Sequence, residues 1–270
     1  MLRPMNLLDQ ETIANFQRDG AIVLRGALTT MQLLQLEIGI EENLANLSPL
    51  AITASQKDDP GRFVEDFCTW QSNDHYEQIL KASALPWIAK ELMKSEAVRL
   101  YHDHLLVKEP GTRATTPWHQ DQPYYNVSGR QNISFWIPVD PVPIQSTLRL
   151  IAGSHEGTWY MPRTFREHQA KWFPEGSLAE LPDIEAEPKK YEQLAWALEP
   201  GDCVAFHMLT LHATRGTPLG SRRRVFSARY LGDDARHAVR PWRTSPPFPD
   251  LANQLADGAE MHHPLFPRLI

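Results

Sequence analysis

The chain has 270 residues, 42% of them hydrophobic, which is enough for one sizeable core. A formal net charge of −6 argues against a nucleic-acid partner, and no uninterrupted apolar run reaches membrane-span length. The two cysteines, Cys68 and Cys203, have no metal-finger or CxxC spacing, and no basic-then-apolar signal segment opens the chain, so a reducing, cytoplasmic setting is expected.

In chain order, Leu8 to Arg18 reads as a short helix with Asp9 as N-cap. Asp19-Gly20 is a turn, and Ala21-Ile22-Val23-Leu24 a buried strand. Thr29 or Thr30 caps a longer helix through about Leu47, with Leu33, Leu36, Ile40 and Leu44 at helical spacing. Ser48 to Gly61 is polar and turn-rich and is expected as a loop. Helical pieces follow around Tyr76 to Lys81 and Pro86 to Met93. From Ala97 the texture becomes β, with strands at Val98–Val107, Asn132–Val139, Leu148–Ile151, Cys203–His207 and Val225–Leu231 between proline or glycine turns. Such spacing predicts a sandwich or jelly roll. Trp159 to Ala195 is a long charged and aromatic insertion, and the tail from His237 is too proline-rich to predict regular structure.

The chemistry concentrates in Trp118-His119-Gln120-Asp121 and in the distant His212 and Arg223. On an extended segment, residues two apart share a face, which would bring His119 and Asp121 together. A second imidazole from His212, just past the apolar strand Cys203–Phe206, would complete two histidines and one carboxylate. That is the ligand set of a non-haem Fe(II) oxygenase with open coordination positions. Rival assignments exist: His207 for His212, the His102-Asp103-His104 strand face as a second metal pair, and Arg222 or Arg224 for Arg223. Strand parity allows only one face of Arg222-Arg223-Arg224 to reach a site, and an arginine there suits a carboxylate. His155, His262 and His263 read as hydrogen-bonding or surface residues.

These motifs, taken together and in this order, resemble the phytanoyl-CoA dioxygenase family of Fe(II)- and 2-oxoglutarate-dependent oxygenases. The resemblance spans nearly the whole chain. It runs through Phe16–Leu24, Leu106-Val107-Lys108-Glu109-Pro110-Gly111, Pro117–Asp121, Ser134–Val139, Leu150–His155 and Pro200-Gly201-Asp202. It implies a double-stranded β-helix (jelly-roll, cupin-like) core, mainly β with flanking helices. It further implies one oxygenase domain over 1–270, with a helical part over about 1–96, a core over about 97–235 and an irregular tail over about 236–270. Iron ligands would be His119, Asp121 and His212. Arg223 and Thr214 would hold the distal carboxylate of 2-oxoglutarate, with Lys108 and Trp136 lining its pocket. The implied reaction consumes O2 and 2-oxoglutarate, releases succinate and CO2, and hydroxylates a substrate C–H. Halogenating relatives carry a small residue in place of the carboxylate ligand, so Asp121 favours hydroxylation or desaturation.

Substrate contacts are expected from loops at the barrel mouth. Tyr124, Tyr125 and Asn126 follow the ligand strand, and Arg149, Trp159, Tyr160, Arg240, Trp242 and Arg243 could form a cationic, aromatic rim suited to a carboxylate-bearing small molecule. The same aromatics could equally pack the insertion and tail. The alternative class is a cupin-like metal protein or isomerase that does not use 2-oxoglutarate, for which Arg223 and Thr214 would have no purpose.

Overall fold

A computed structural model describes residues 8–56, 58–161 and 176–270. Helix α1 (Gln10–Asp19) starts where the Asp9 side chain accepts from the Thr12 amide and stops at Gly20, whose φ of 72° is left-handed. Strand β1 (Ala21–Leu24) follows directly, and α2 (Thr30–Ala45) opens with a reciprocal Thr29/Gln32 capping box. The predicted loop over 48–61 contains a short strand, β2 (Ile52–Thr53), which pairs with β3 (Phe63–Phe67). Helices α3 (Asp74–Ala82) and α4 (Leu85–Met93) then lead into the long β4 (Arg99–Lys108).

The remaining strands are β5 (Thr116–His119), β6 (Val127–Ser128), β7 (Asn132–Pro138), β8 (Leu148–Ile151), β9 (Gln193–Ala195), β10 (Cys203–Phe206), β11 (His212–Thr214), β12 (Arg223–Leu231) and β13 (Arg236–His237). A seven-stranded sheet runs β1-β10-β7-β12-β4-β3-β2 and a four-stranded sheet β5-β11-β8-β9, with β13 and β6 as a separate pair. All these pairings are antiparallel. This is the predicted jelly roll. The predicted insertion lies partly outside the described residues. The tail is not wholly irregular: it carries β13 and a one-turn helix, α5 (Leu251–Gln254), and buries Met261 and Phe266 against Tyr101 and Leu231.

Period-two alternation on β12 explains how the core divides. Phe226, Ala228 and Tyr230 face the helices, in a cluster with Leu36, Ile40, Tyr76, Leu85 and Leu92. Arg223, Val225, Ser227 and Arg229 face the other way, into a cavity between the two sheets. Burying the apolar outer face at ~25 cal/mol per Å² holds the helices on the large sheet. The inner face is then free to carry polar groups.

Cys68 and Cys203 are not joined in a disulfide. Among the described residues no helix is long and apolar enough to cross a membrane.

Candidate metal centre and its cavity

His119 ends β5, and His212 opens β11 directly opposite it in the antiparallel register. Cross-strand partners project to the same face, and the two imidazole centroids lie 4.1 Å apart. Each ring is oriented from behind. His119 Nδ1 meets the Pro117 carbonyl and His212 Nδ1 the Thr210 carbonyl, both at 2.8 Å. With Nδ1–H donating backwards, both Nε2 lone pairs face the cavity.

Asp121 arrives by a different route from the strand alternation expected. It lies beyond the end of β5 with φ −76° and ψ −46°, at the start of a 3-10 turn over Gln122–Tyr124. The chain bends there because the Asp121 and Gln122 amides both donate to the Met208 carbonyl, at 2.8 and 2.9 Å. Asp121 Oδ1 then sits 3.6 Å from each Nε2. Among the described residues this is the one group of three His, Cys, Asp or Glu side chains that could hold a metal ion, with donor atoms within 4.8 Å of one another.

The other oxygen, Asp121 Oδ2, accepts from Arg229 Nη2 at 3.1 Å and from Nε and Ser134 Oγ at 3.3 Å. Burial alone would raise the Asp121 carboxyl, but Arg229 and the two imidazoles overcome it and hold it well below the usual range. Burial pushes His212 down to about 3, so it stays neutral and available as a ligand. Arg229 and Ser134 were not foreseen from sequence.

The cavity encloses about 850 Å³ of empty space, counting its open mouth. At the end remote from Asp121 stand two buried cations, Lys108 and Arg223, side by side on β4 and β12. Lys108 Nζ donates to the Ala114 carbonyl at 2.7 Å, Thr214 Oγ1 at 3.2 Å and the Arg215 carbonyl at 3.3 Å. Arg223 donates to the Ser146 carbonyl and, at 3.3 Å, to the same Thr214 hydroxyl. Trp136 lies against the Arg223 guanidinium, 5.7 Å from its ring centroid. Among the described residues neither cation has a carboxylate within ion-pair distance. Burial, then Arg223, holds Lys108 well below its ordinary value, and burial brings Arg223 down to about 10. A bound dianion would relieve both. The two imidazoles and carboxylate suit iron, and the paired cations suit the distal carboxylate of 2-oxoglutarate.

Parity separates the three arginines as expected. Arg223 points inward, while Arg224 pairs with Asp140, Glu37 and Glu41, and Arg222 with Glu41 and Glu109. His207 faces away, its Nε2 on the Arg130 carbonyl at 2.8 Å. His102 and His104 share the inner face of β4, and Asp103 turns outward to Thr69 and Trp70.

Among predicted substrate residues, Tyr124 and Tyr125 line the cavity and Arg149 does not. Its neighbours Leu148 and Leu150 pack between the sheets, so alternation sends Arg149 to the outer face. There it pairs with Glu185 at 2.7 Å and lies over the Trp118 ring. Trp242 also falls outside the lining, its Nε1 donating to the Pro123 carbonyl at 3.1 Å behind the ligand turn. Arg240 is committed to the Tyr125 and Val127 carbonyls.

The profile of the phytanoyl-CoA dioxygenase (PhyH) family matches residues 16–225, more than three quarters of the chain. The chain belongs to this family. Comparison with curated proteins finds no match. Solved structures similar to this PhyH-family chain include the non-heme alpha ketoglutarate dependent carbocyclase SnoK from nogalamycin biosynthesis. It has a TM-score of 0.74 and 20% identity over 98% of this chain and 97% of that one. The epimerase SnoN, solved with Fe3+, alpha ketoglutarate and nogalamycin RO, gives 0.71 and 19% over 97% and 98%. EctD from S. alaskensis, solved with 2-oxoglutarate and 5-hydroxyectoine, gives 0.69 and 18% over 95% and 87%. At these identities the likeness is one of fold, and it agrees with the jelly roll described above.

Proposed function

We propose that this PhyH-family protein is an Fe(II)- and 2-oxoglutarate-dependent oxygenase that hydroxylates a C–H bond of a small organic molecule. O2 and 2-oxoglutarate would be consumed, and succinate and CO2 released. The observation that carries the reading is the conjunction, in one cavity, of a two-histidine, one-carboxylate triad with two buried cations that have no carboxylate within ion-pair distance among the described residues. A metal-binding jelly roll that does not use 2-oxoglutarate has no need of that second feature, at the cost of burying two like charges.

Iron bound here would supply the oxygen-activating redox chemistry. The chain's own residues present, orient and shield. His119 and His212 offer Nε2, with Nδ1 fixed on backbone carbonyls. Asp121 offers one oxygen, while Arg229 and Ser134 hold the other. Arg223, with Lys108 and Thr214, would take the distal carboxylate of the cosubstrate, and Trp136 would wall its chain. The cavity lies between the two sheets and is lined by side chains of both, a setting that suits a small molecule rather than a folded partner. The cationic rim that favoured a carboxylate-bearing substrate loses its basis, because Arg149 and Arg240 are engaged elsewhere.

Anaerobic protein mixed with Fe(II) and 2-oxoglutarate should develop the weak visible charge-transfer band of a chelated 2-oxo acid. In Arg223→Ala the 2-oxoglutarate concentration needed for half the band should rise by ~10–150-fold, the worth of a hydrogen bond to a charged group. No band with metal bound would favour the non-oxygenase reading. A band insensitive to Arg223→Ala would move the carboxylate elsewhere.

A further inference from the structure

One acidic side chain inside the cavity has no part in the scheme above. Glu65 lies on the inner face of β3 between Phe63 and Phe67, 4% exposed, and lines the same cavity as the metal triad. Its neighbour is His104 on β4, with Nε2 3.3 Å from Glu65 Oε1 but off the angle for a hydrogen bond. Burial holds the His104 imidazole below its ordinary value, so it stays neutral and gives Glu65 no charge partner.

Among the described residues none of the three cations that line the cavity lies within ion-pair distance of Glu65, and Lys108 acts on it only at longer range. Lys108 and Arg223 sit at the cosubstrate end on Thr214, and Arg229 is held by Asp121. A buried carboxylate without a cation at ion-pair distance is costly. Strand register sets where this group lies. Along β4, Lys108 stands beside Arg223, His104 beside Ser227 and His102 beside Arg229. The floor therefore runs from the cosubstrate cations to the metal's counter-ion. Glu65 flanks that line one strand to the side, on β3, where its neighbour Phe67 stands opposite His104. The Phe67 ring stacks on His104 at 4.0 Å and completes an apolar wall beside the carboxylate.

We infer that Glu65 is the substrate-recognition residue of this cavity and that the substrate carries a protonated amine, seated on the Glu65 carboxylate against Phe67. The inference rests on the proposed oxygenase reading only for which end of the cavity the cosubstrate fills. The missing positive charge is supplied by the ligand. The recognition is a charge-assisted hydrogen bond in a buried setting, where such bonds are strongest, with an aromatic face that also favours a cation.

Three probes of matched shape test this: 2-phenylethylamine, 2-phenylethanol and 3-phenylpropanoate. Each is titrated calorimetrically into protein loaded anaerobically with Fe(II) and 2-oxoglutarate, and again into metal-free protein. The amine should bind ~10-fold or more tighter than the alcohol, with the carboxylate weakest. Glu65→Gln should abolish the amine's advantage and leave alcohol binding unchanged. Equal affinity for amine and alcohol, a preference for the carboxylate, no binding of the amine, or an amine preference that survives Glu65→Gln each overturns the inference. The wild-type comparison needs no variant, so it stands even if Glu65→Gln melts early. If the charge-transfer band is absent while the amine preference holds in metal-free protein, the oxygenase reading fails and this one does not.

Discussion

Arg229→Met offers a deep test of how the metal centre is built. Methionine keeps much of the volume and removes the charge that holds Asp121 Oδ2 at 3.1 Å. Both groups are buried, at 4% and 5% exposure, so solvent cannot replace the lost partner. Removing one member of a buried ion pair typically costs ~3–5 kcal/mol, because the other is left uncompensated. For 270 residues at ~2.1 cal/mol/K per residue, the entropy at the midpoint is ~0.6 kcal/mol/K, so the metal-free protein should melt ~5–9 °C lower. Metal stabilises the fold only through its affinity for the folded chain, so at equal free Fe(II) the iron-induced rise in Tm should be smaller in the variant than in wild type. Loss of the orienting contact should at the same time weaken metal affinity by ~10–100-fold, read by chelator competition. Scanning calorimetry with and without Fe(II), under anaerobic conditions, measures both terms. A variant that melts like wild type without metal, with unchanged iron affinity, would refute the account of Arg229 as the group that holds the carboxylate.

Asp121→Ala should abolish turnover and strip iron at chelator concentrations that leave wild type loaded; full activity with iron retained would remove Asp121 from the ligand set. The metal-free protein should also lose stability in mild acid. Burial holds His207 and His212 at about 3, against ~6.5 unfolded, so below pH ~6.5 only the unfolded chain takes up their protons. Stability is thus fully present above the unfolded value and lost as pH falls towards 3, by ~1.4 kcal/mol per pH unit for each histidine. A melting temperature flat from pH 7 to pH 5 would contradict the burial of these rings.

Part of the site was legible because His119, His212 and Arg223 stand on strands, whereas the alternation expected to pair Asp121 with His119 is not followed there. His119, Asp121 and His212 stand in a sequence order that few other arrangements share, and the parity of Arg222-Arg223-Arg224 singles out the one that points inward. The same rule, carried further, held more than was drawn from it. Two steps at a time from Arg223 lead through Val225 and Ser227 to Arg229, a charge on a buried face that requires a partner. Leu148-Arg149-Leu150 sends Arg149 outward by the alternation that sends its neighbours in. Phe63-Val64-Glu65-Asp66-Phe67 hid its strand because it carries two acids, yet each serves a different face. Glu65 looks into the cavity, and Asp66 accepts from Asn43 and the Ser48 amide on the other side, both at 2.8 Å. What periodicity could not reveal was geometry made by long-range contacts. The turn that aims Asp121 depends on the Met208 carbonyl, contributed from the crossover between β10 and β11.

The triad hangs from the small sheet and the turn after it, whereas Lys108, Arg223 and Arg229 stand on the large one. The sandwich therefore acts as a vice whose jaws carry the two halves of the centre. Face-to-face sheets rest ~10 Å apart, and here Trp136, Leu148, Leu150 and Phe206 fill the space between them. Trimming those spacers would change how far metal and cosubstrate anchor stand from each other without touching a ligand. On the proposed reading, the affinity of one for the other should follow the thickness of the hydrophobic filling between the jaws.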